Sequence, residues 1–276
     1  MSPRRIFDVP GLLAPCFTGR DSNLKSLQDI LETSSLVETG KHDGSLFKRA
    51  AIHGMPGAGK TQLALKYASS YRELYSAVFF VSAASVPALN DGYERIVSLL
   101  DLPERSATEP GIKTRAARAW LEDNRSDDGK PWLLVVDNIH PDIDDGSETE
   151  TNDNNAILRK LITEFLPREG CHPQGSLILT TRKPEAAKLA VGRNLDLCIE
   201  LGAMNEEEAV DLLYRASGRM DDEGSALSIV KELGYLPLAI NQAATFISVL
   251  ELDFQLFLKY FREEKDKVWY YLTFFD

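Results

Sequence analysis

The sequence predicts an α/β fold: a parallel sheet of five strands flanked by helices, followed by a small helical bundle. Three observations predict it. Short apolar runs alternate with helical patterns, and strands apolar on both faces belong to a parallel sheet covered on two sides. Strand signals stop after residue 203, and only helical periodicity follows. The 276 residues suit one α/β domain with a smaller helical one, and they can bury a core without staples.

The elements follow in order. The opening, up to about Gly19, is rich in Pro and Gly and reads as an extended arm. Apolar positions at Leu24, Leu27, Ile30 and Leu31 predict a helix over 21–36, capped by Asp21 or Ser22. Residues 38–46 read as a polar loop. Ala50 to His53 form a first buried strand, ending at Gly54. A helix is expected from Lys60 to about Tyr75, a second strand over 77–81, and helices near 86–100 and 112–123. The clearest strand is Trp132-Leu133-Leu134-Val135-Val136-Asp137. A helix near 155–166 leads to strands over 177–181 and 197–200. Asn205 before Glu206-Glu207-Glu208 marks a helix start, with a capping side chain and acids at the positive end of the helix dipole. Helical stretches follow near 225–233, 237–250 and 253–263. The expected division is an arm over 1–20, an α/β domain over 21–203 and a helical subdomain over 204–276.

Composition excludes some classes. A net charge of −11 does not attract nucleic acid through the overall field; a local basic patch near Arg4–Arg5 stays open, though short basic starts are usually solvated tails. Cys16, Cys171 and Cys198 are sparse and unpaired in pattern, which argues against a disulfide framework or a zinc site. His42, His53, His140 and His172 show no metal-ligand spacing. The start MSPRRIFDVPG has no apolar core of a signal peptide, and no run approaches the ~20 residues that span a bilayer. A cytoplasmic location is expected. Residues 142–155 read as an acidic surface loop; Ile143 breaks any calcium-loop pattern.

Chemistry concentrates at Gly54-Met55-Pro56-Gly57-Ala58-Gly59-Lys60-Thr61, which satisfies G-x-x-x-x-G-K-[ST]. With Gly near 7% of typical sequences, chance gives this pattern in about one chain in a hundred of this length. Here it also follows an expected strand and opens an expected helix. Glycines let the backbone wrap phosphates and turn N–H groups inward, and the helix N-terminus adds positive potential. Lys60 is expected to bring a point charge to the phosphates and Thr61 a hydroxyl to Mg²⁺; Gln62 completes the first turn beside them. Asp137 ends the strongest strand, where open α/β sheets bind ligands, and is the expected second Mg²⁺ ligand. Asn138 stands where hydrolytic P-loop enzymes often carry a second acid. An amide can bond a water but cannot take its proton, so slow hydrolysis is expected. Thr180-Thr181-Arg182 ends the fourth strand; an Arg there can reach a γ-phosphate and tell ATP from ADP, or can be a surface residue.

In this order, GMPGAGKT, LLVVDN, LILTTR and Gly234-Tyr235-Leu236-Pro237-Leu238-Ala239 resemble the NB-ARC family of STAND P-loop NTPases, most of all its fungal members. Tyr235 stands where that family usually has Leu, and Phe17-Thr18-Gly19-Arg20 is similar to the short element preceding its domain. The resemblance spans about 16–265. It implies a P-loop NTPase sheet followed by an ARC1-like helical subdomain. It implies a site for ADP or ATP with Mg²⁺. Arg182 would contact the γ-phosphate, and Lys60, Asp137 and Arg182 would be the chemically active set. Pro237, with Leu238 beside it, would pack near adenine and ribose, and the backbone of Phe17 to Arg20 would border the adenine, with Arg20 bonding to it. It further implies a switch, closed with ADP and self-associating with ATP, that works through protein partners.

Three departures stand beside the resemblance: Asn138, no stretch matching the winged-helix domain with its MHD-type histidine, and no effector domain or repeats in these 276 residues. The ending, Trp269 to Phe275, is unusually apolar for a terminus. The leading reading is a regulatory nucleotide-binding module with slow or negligible turnover. The alternative is a competent P-loop ATPase, and a third is a DNA-dependent ATPase of the origin-recognition kind, against which the acidic balance speaks.

Overall fold

The computed structural model of the protein describes residues 5–11, 13–32, 48–123, 129–140, 154–168, 174–192 and 194–263. The polar loop at 38–46, the acidic insert up to 153, Arg4, His42, Cys171, His172 and the apolar ending lie outside the described residues. The chain divides into two compact units. One comprises Met1–Leu12, Asn23–Gly54 and Leu63–Glu200; the other comprises Leu13–Ser22, Met55–Gln62 and Leu201–Asp276.

The first unit is built on a parallel sheet of β1 (Ile6–Asp8), β2 (Lys48–His53), β3 (Ala77–Ser82), β4 (Trp132–Ile139), β5 (Gly175–Thr181) and β6 (Cys198–Glu200). Their order across the sheet is β1-β3-β4-β5-β2-β6. The sheet therefore has six strands, not five. The extra one, β1, comes from the arm and pairs with β3 from Ile6↔Ala77 to Asp8↔Phe79. Three residues are too few to display a period of two, so only the pairing reveals them. Side chains hold this edge: Arg95 donates to Asp8 at 2.6 Å and to the Phe80 carbonyl at 2.7 Å, and the Arg72 guanidinium sits 5.1 Å from the Phe7 ring centroid.

Alternation explains the core. Phe79, Val81, Trp132, Leu134, Val136, Leu177 and Leu179 share one buried cluster. They pack with α3 (Val86–Leu99), α4 (Ile112–Asp123), α5 (Asn154–Phe165) and α6 (Pro184–Ala190). The intervening Val78, Phe80, Leu133, Val135 and Ile178 are buried as well, as are Leu27 and Leu31 of α1 (Asp21–Glu32) and Leu63, Ala64 and Tyr67 of α2 (Lys60–Ser70). A sheet buried on both faces needs apolar residues at every position, which is what made these strands readable. The second helix is shorter than its pattern suggests. It ends at Ser70, and a 3-10 turn over Arg72–Leu74 brings the Tyr75 hydroxyl 2.8 Å from that of Tyr67, both buried. Burial pushes both phenol pKa values up.

The second unit holds α7 (Glu206–Ser217), α8 (Glu223–Glu232), α9 (Pro237–Val249) and α10 (Phe254–Glu263). Leu213, Ile229, Val230, Ile240, Ala243, Ala244, Ile247, Phe254, Phe257 and Phe261 form its core. Alanines on α9 admit close neighbours, and the aromatic face of α10 supplies volume: Tyr214 stacks on Phe254 at 6.0 Å between centroids. Asn205 caps α7 in a capping box with Glu208.

Gly175 lies in register with Trp132 on the neighbouring strand, and a Cβ there would collide with the indole. Gly175→Ala should lower stability by about 1–3 kcal/mol through overpacking. A denaturant midpoint unchanged from that of the parent chain would refute this.

Candidate functional site

In the first unit, β5 lies between β2 and β4. The carboxyl ends of these three strands therefore bring His53, Asp137 and Thr181 to one edge, with Arg182 following β5 directly. The β4–β5 register is regular up to Val136↔Leu179 and resumes at Ile139↔Thr181. Asp137 and Asn138 thus share a bulge, a device that re-aims side chains at sheet edges. Asn138 adopts a left-handed backbone at φ 65°, a conformation Asn tolerates better than most residues. Its N–H leaves the ladder and donates to the Thr180 hydroxyl at 2.8 Å. That hydroxyl in turn donates to the Asp137 carboxylate at 2.6 Å. Thr180 is fully buried, so the relay fixes the carboxylate from below. Asp137 and Asn138 are half-buried, and Arg182 is exposed.

In the second unit, the loop after β2 meets the start of α9. Gly57 and Gly59 sit at φ 76° and 91°, where a side chain would be strained. A Cβ on Gly57 would also come 3.2 Å from the Leu238 Cβ, and one on Gly59 4.0 Å from the Pro237 ring. The Leu238 N–H donates to the Gly57 carbonyl at 3.2 Å. This donor is one of the N–H groups that a helix start leaves without an internal partner. Pro237 at the first helical position supplies none, so its placement there is free of cost. Within the loop, Ala58 N–H and the Lys60 ammonium both reach the Met55 carbonyl, at 3.3 and 2.8 Å. Lys60 is buried, Met55 and Pro56 are exposed, and Gly54, Thr61 and Gln62 are half-buried. Just before α9, Gly234 and Tyr235 both turn left-handed, at φ 65° and 56°. Tyr235 occupies a position where a non-glycine residue needs outside support, and its carbonyl accepts from Met204 N–H at 2.9 Å.

The arm docks within the same unit. Gln62 accepts from Ala14 N–H at 2.8 Å, and Phe17 N–H closes a turn on the Ala14 carbonyl at 3.0 Å. The Thr18 hydroxyl donates to Asp211 on α7. Arg215 and then Thr18 hold the Asp211 carboxyl below its usual pKa. Gly19 packs so tightly on Glu208 that a Cβ would lie 2.7 Å from that side chain. Glu208 accepts from Arg20 N–H at 2.8 Å while its other oxygen accepts from Asn205 N–H at 3.3 Å. The Arg20 guanidinium donates to the carbonyls of Gly202 at 2.6 Å, Ala203 at 3.3 Å and Ala58 at 3.4 Å. Arg20 is 8% exposed; burial lowers its pKa and the nearby Glu208 opposes that shift.

Glu208, Asp211 and the role of Thr180 were not apparent from sequence. Glu208 and Asp211 carried a signal, since acids three apart share a helix face; what they face was not knowable from spacing. Among the described residues no cluster of three or more His, Cys, Asp or Glu could hold a metal by itself, and no helix is long and apolar enough to cross a membrane. Cys16 and Cys198 are free thiols.

A glycine loop between a strand and a helix, an acid on a parallel strand two places away and a helical region after the sheet define a P-loop NTPase. Solved structures agree on the fold. Aeropyrum pernix ORC2 superimposes with a TM-score of 0.56 at 18% identity, over 91% of this chain and 69% of that one. Pyrobaculum aerophilum Cdc6p gives 0.53 at 19%, over 88% and 65%, and a Thermotoga maritima RuvB variant gives 0.51 at 18%, over 89% and 70%. No family model matches the chain. Curated relatives narrow the class. A nucleotide-binding leucine-rich repeat (NLR)-like protein of Hyaloscypha variabilis is 30% identical over 94% of this chain and 25% of its own length. The regulatory protein AfsR of Streptomyces griseus is 29% identical over 84% and 21%, and a putative late blight resistance protein homolog of Solanum demissum is 28% identical over 74% and 14%. This chain is a nucleotide-binding P-loop NTPase domain of the NB-ARC/STAND kind. It spans a quarter or less of the length of these relatives.

Glu208→Ala removes the acceptor of Arg20 N–H and half of the capping box. It should cost about 1–2 kcal/mol and speed hydrogen exchange at the Arg20 amide. Exchange at that amide unchanged from the parent would show that the arm is held without Glu208.

Proposed function

We propose that the chain is an ATP/ADP-binding switch module with slow or negligible hydrolysis, in which nucleotide state controls conformation and self-association. One observation carries the reading: the Gly57 carbonyl of the glycine loop caps Leu238 N–H at the start of α9. A loop that shifts to fit phosphates would shift the first turn of that helix with it. Nucleotide occupancy would thereby bias the packing of α7 to α10, as a ligand must if it is to move an equilibrium between two states.

Under this reading Gly54 to Gly59 cradle the phosphates, Lys60 adds charge, and Gln62 holds the arm. Pro237 and Leu238 flank the sugar and base, beside Phe17, Thr18 and Gly19. Thr61 and Asp137 supply the hard oxygen donors that Mg²⁺ prefers, with phosphate oxygens completing the set. When bound, Mg²⁺ would neutralise charge on the phosphates. The Thr180 hydroxyl donates to the Asp137 carboxylate and fixes its orientation, which would suit that role. The Asn138 side chain cannot act as a base, and its backbone N–H is already committed to Thr180. Arg182, exposed at the end of β5, would read the γ-phosphate. Partners would be proteins or further copies of the chain in the ATP state. The net charge of −11 favours neither nucleic acid nor an anionic membrane surface, and the cytoplasm is the fitting compartment. The second reading, a competent ATPase, is favoured by the orientation of Asp137, and a multiple-turnover rate near 1 s⁻¹ or above would support it.

Lys60→Ala should weaken ADP and ATP by at least about tenfold, the loss of one charge-assisted phosphate contact. Titration calorimetry showing parent-like affinity would remove the glycine loop from the site. Arg182→Ala should weaken ATP about tenfold while leaving ADP within a factor of ~2; equal losses would end its sensor role.

A further inference from the structure

Arg20 is buried, and its guanidinium directs its Nη donors to backbone carbonyls. Its Nη2 donates at 2.6 Å to the carbonyl of Gly202 and at 3.4 Å to that of Ala58, and its Nη1 donates to Ala203 at 3.3 Å. Its own N–H is fixed by Glu208, and its backbone is left-handed at φ 65° directly after Gly19 at 66°. Two left-handed residues in succession are expensive for a non-glycine residue at the second place. Its Nε is sealed from solvent with no hydrogen-bond partner among the described residues. A side chain kept only for stability would not carry an unmet buried donor and a strained backbone together, because each costs free energy. Such conflicts gather where a residue serves function.

Its partners indicate what that function is. Ala58 lies in the glycine loop. Gly202 and Ala203 are the residues by which the chain leaves β6 and enters α7. In a trans peptide the C=O of one residue and the N–H of the next point in opposite directions, and the described chain has no cis bonds. Tying the Ala58 carbonyl to Arg20 therefore turns the Gly59 N–H away from Arg20. Gly59 N–H is one of the donors a phosphate-binding loop must aim at its anion.

We propose that Arg20 is a positioning residue that orients the Ala58–Gly59 peptide for phosphate and transmits loop occupancy to the backbone at Gly202–Ala203, rather than a ligand of the base. This inference rests on the nucleotide-binding reading above. It replaces the expected bond from Arg20 to adenine with a strut that would act equally on any ligand bearing the same phosphates.

The test compares the whole chain with Arg20→Lys and Arg20→Ala, using ADP and inorganic pyrophosphate, which has no base. Each variant should weaken ADP and pyrophosphate by the same factor, about tenfold or more once the guanidinium fork that reaches the Ala58 and Gly202 carbonyls is lost. Hydrogen exchange at the Gly59 and Gly202 amides should accelerate in both. In the parent, ADP should slow exchange at Gly202 to Met204, and Arg20→Lys should abolish that protection. A variant that loses ADP affinity but keeps that for pyrophosphate would assign Arg20 to the base and overturn the proposal. If the parent binds neither ligand, the nucleotide reading fails by itself; the strut then stands or falls on the exchange rates of the unliganded variants. Should Arg20→Ala fail to fold, Arg20→Lys, which keeps the charge but not the fork, decides the matter by the same measurements.

Discussion

The glycine loop depends on where its carbonyls go. A chain that wraps an anion must turn N–H groups toward it, and every N–H turned inward sends a carbonyl outward that needs a donor. Here the Gly57 carbonyl is met by the start of α9 and the Ala58 carbonyl by Arg20, while Lys60 and Ala58 N–H meet that of Met55. The loop is thus not self-sufficient. It borrows donors from the arm and from the helical region, which is why residues 13–22 and 55–62 belong to the same compact unit as the helices. Glycine at 57 is required twice over, by positive φ and by the closeness of Leu238, and at 59 by positive φ.

The sheet sets a second constraint. Because β5 is inserted between β2 and β4, the acid strand is not the neighbour of the loop strand, and Thr180 and Thr181 occupy the place between. The bulge at Asp137–Asn138 then spends Asn138 N–H on Thr180 instead of on the ladder. An Asp could adopt the same left-handed backbone. The fold therefore does not require the amide at this position.

Much of this was legible beforehand, for reasons that also define the limit. Strands buried on both faces must be apolar throughout, so β2 to β5 announce themselves, and the loop is fixed by residue types that nothing else can supply. Strand β1 was hidden because three residues between Pro and Gly show no period, and its strand character lies in pairing with β3. The short α6 spans seven residues from Pro184, too brief to show a face of its own. Thr180 reads as one more β-branched strand residue until its hydroxyl is seen between Asn138 and Asp137. Arg20 was marked by its motif, but motif spacing does not say which carbonyls a guanidinium reaches. Sequence names the groups that must be near a ligand; long-range pairing decides which of them touch it and which hold the others in place.

That distinction separates two tasks in the proposed switch. In the proposed site Gly57 and Ala58 would meet the part of the nucleotide common to ADP and ATP, so their ties to α9 and Arg20 would report that the site is filled but not by which nucleotide. Discrimination would come from a group that meets only the γ-phosphate, the part proposed for Arg182, which follows the end of β5. A ligand shifts a two-state equilibrium only by its difference in affinity for the two states. Filling the loop would then stabilise one packing of the helices for either nucleotide, and the γ-phosphate contact alone would supply the difference between them. A chain arranged in this way can hold its nucleotide tightly in both states while switching on a small part of the binding energy, and it needs no rapid hydrolysis to do so.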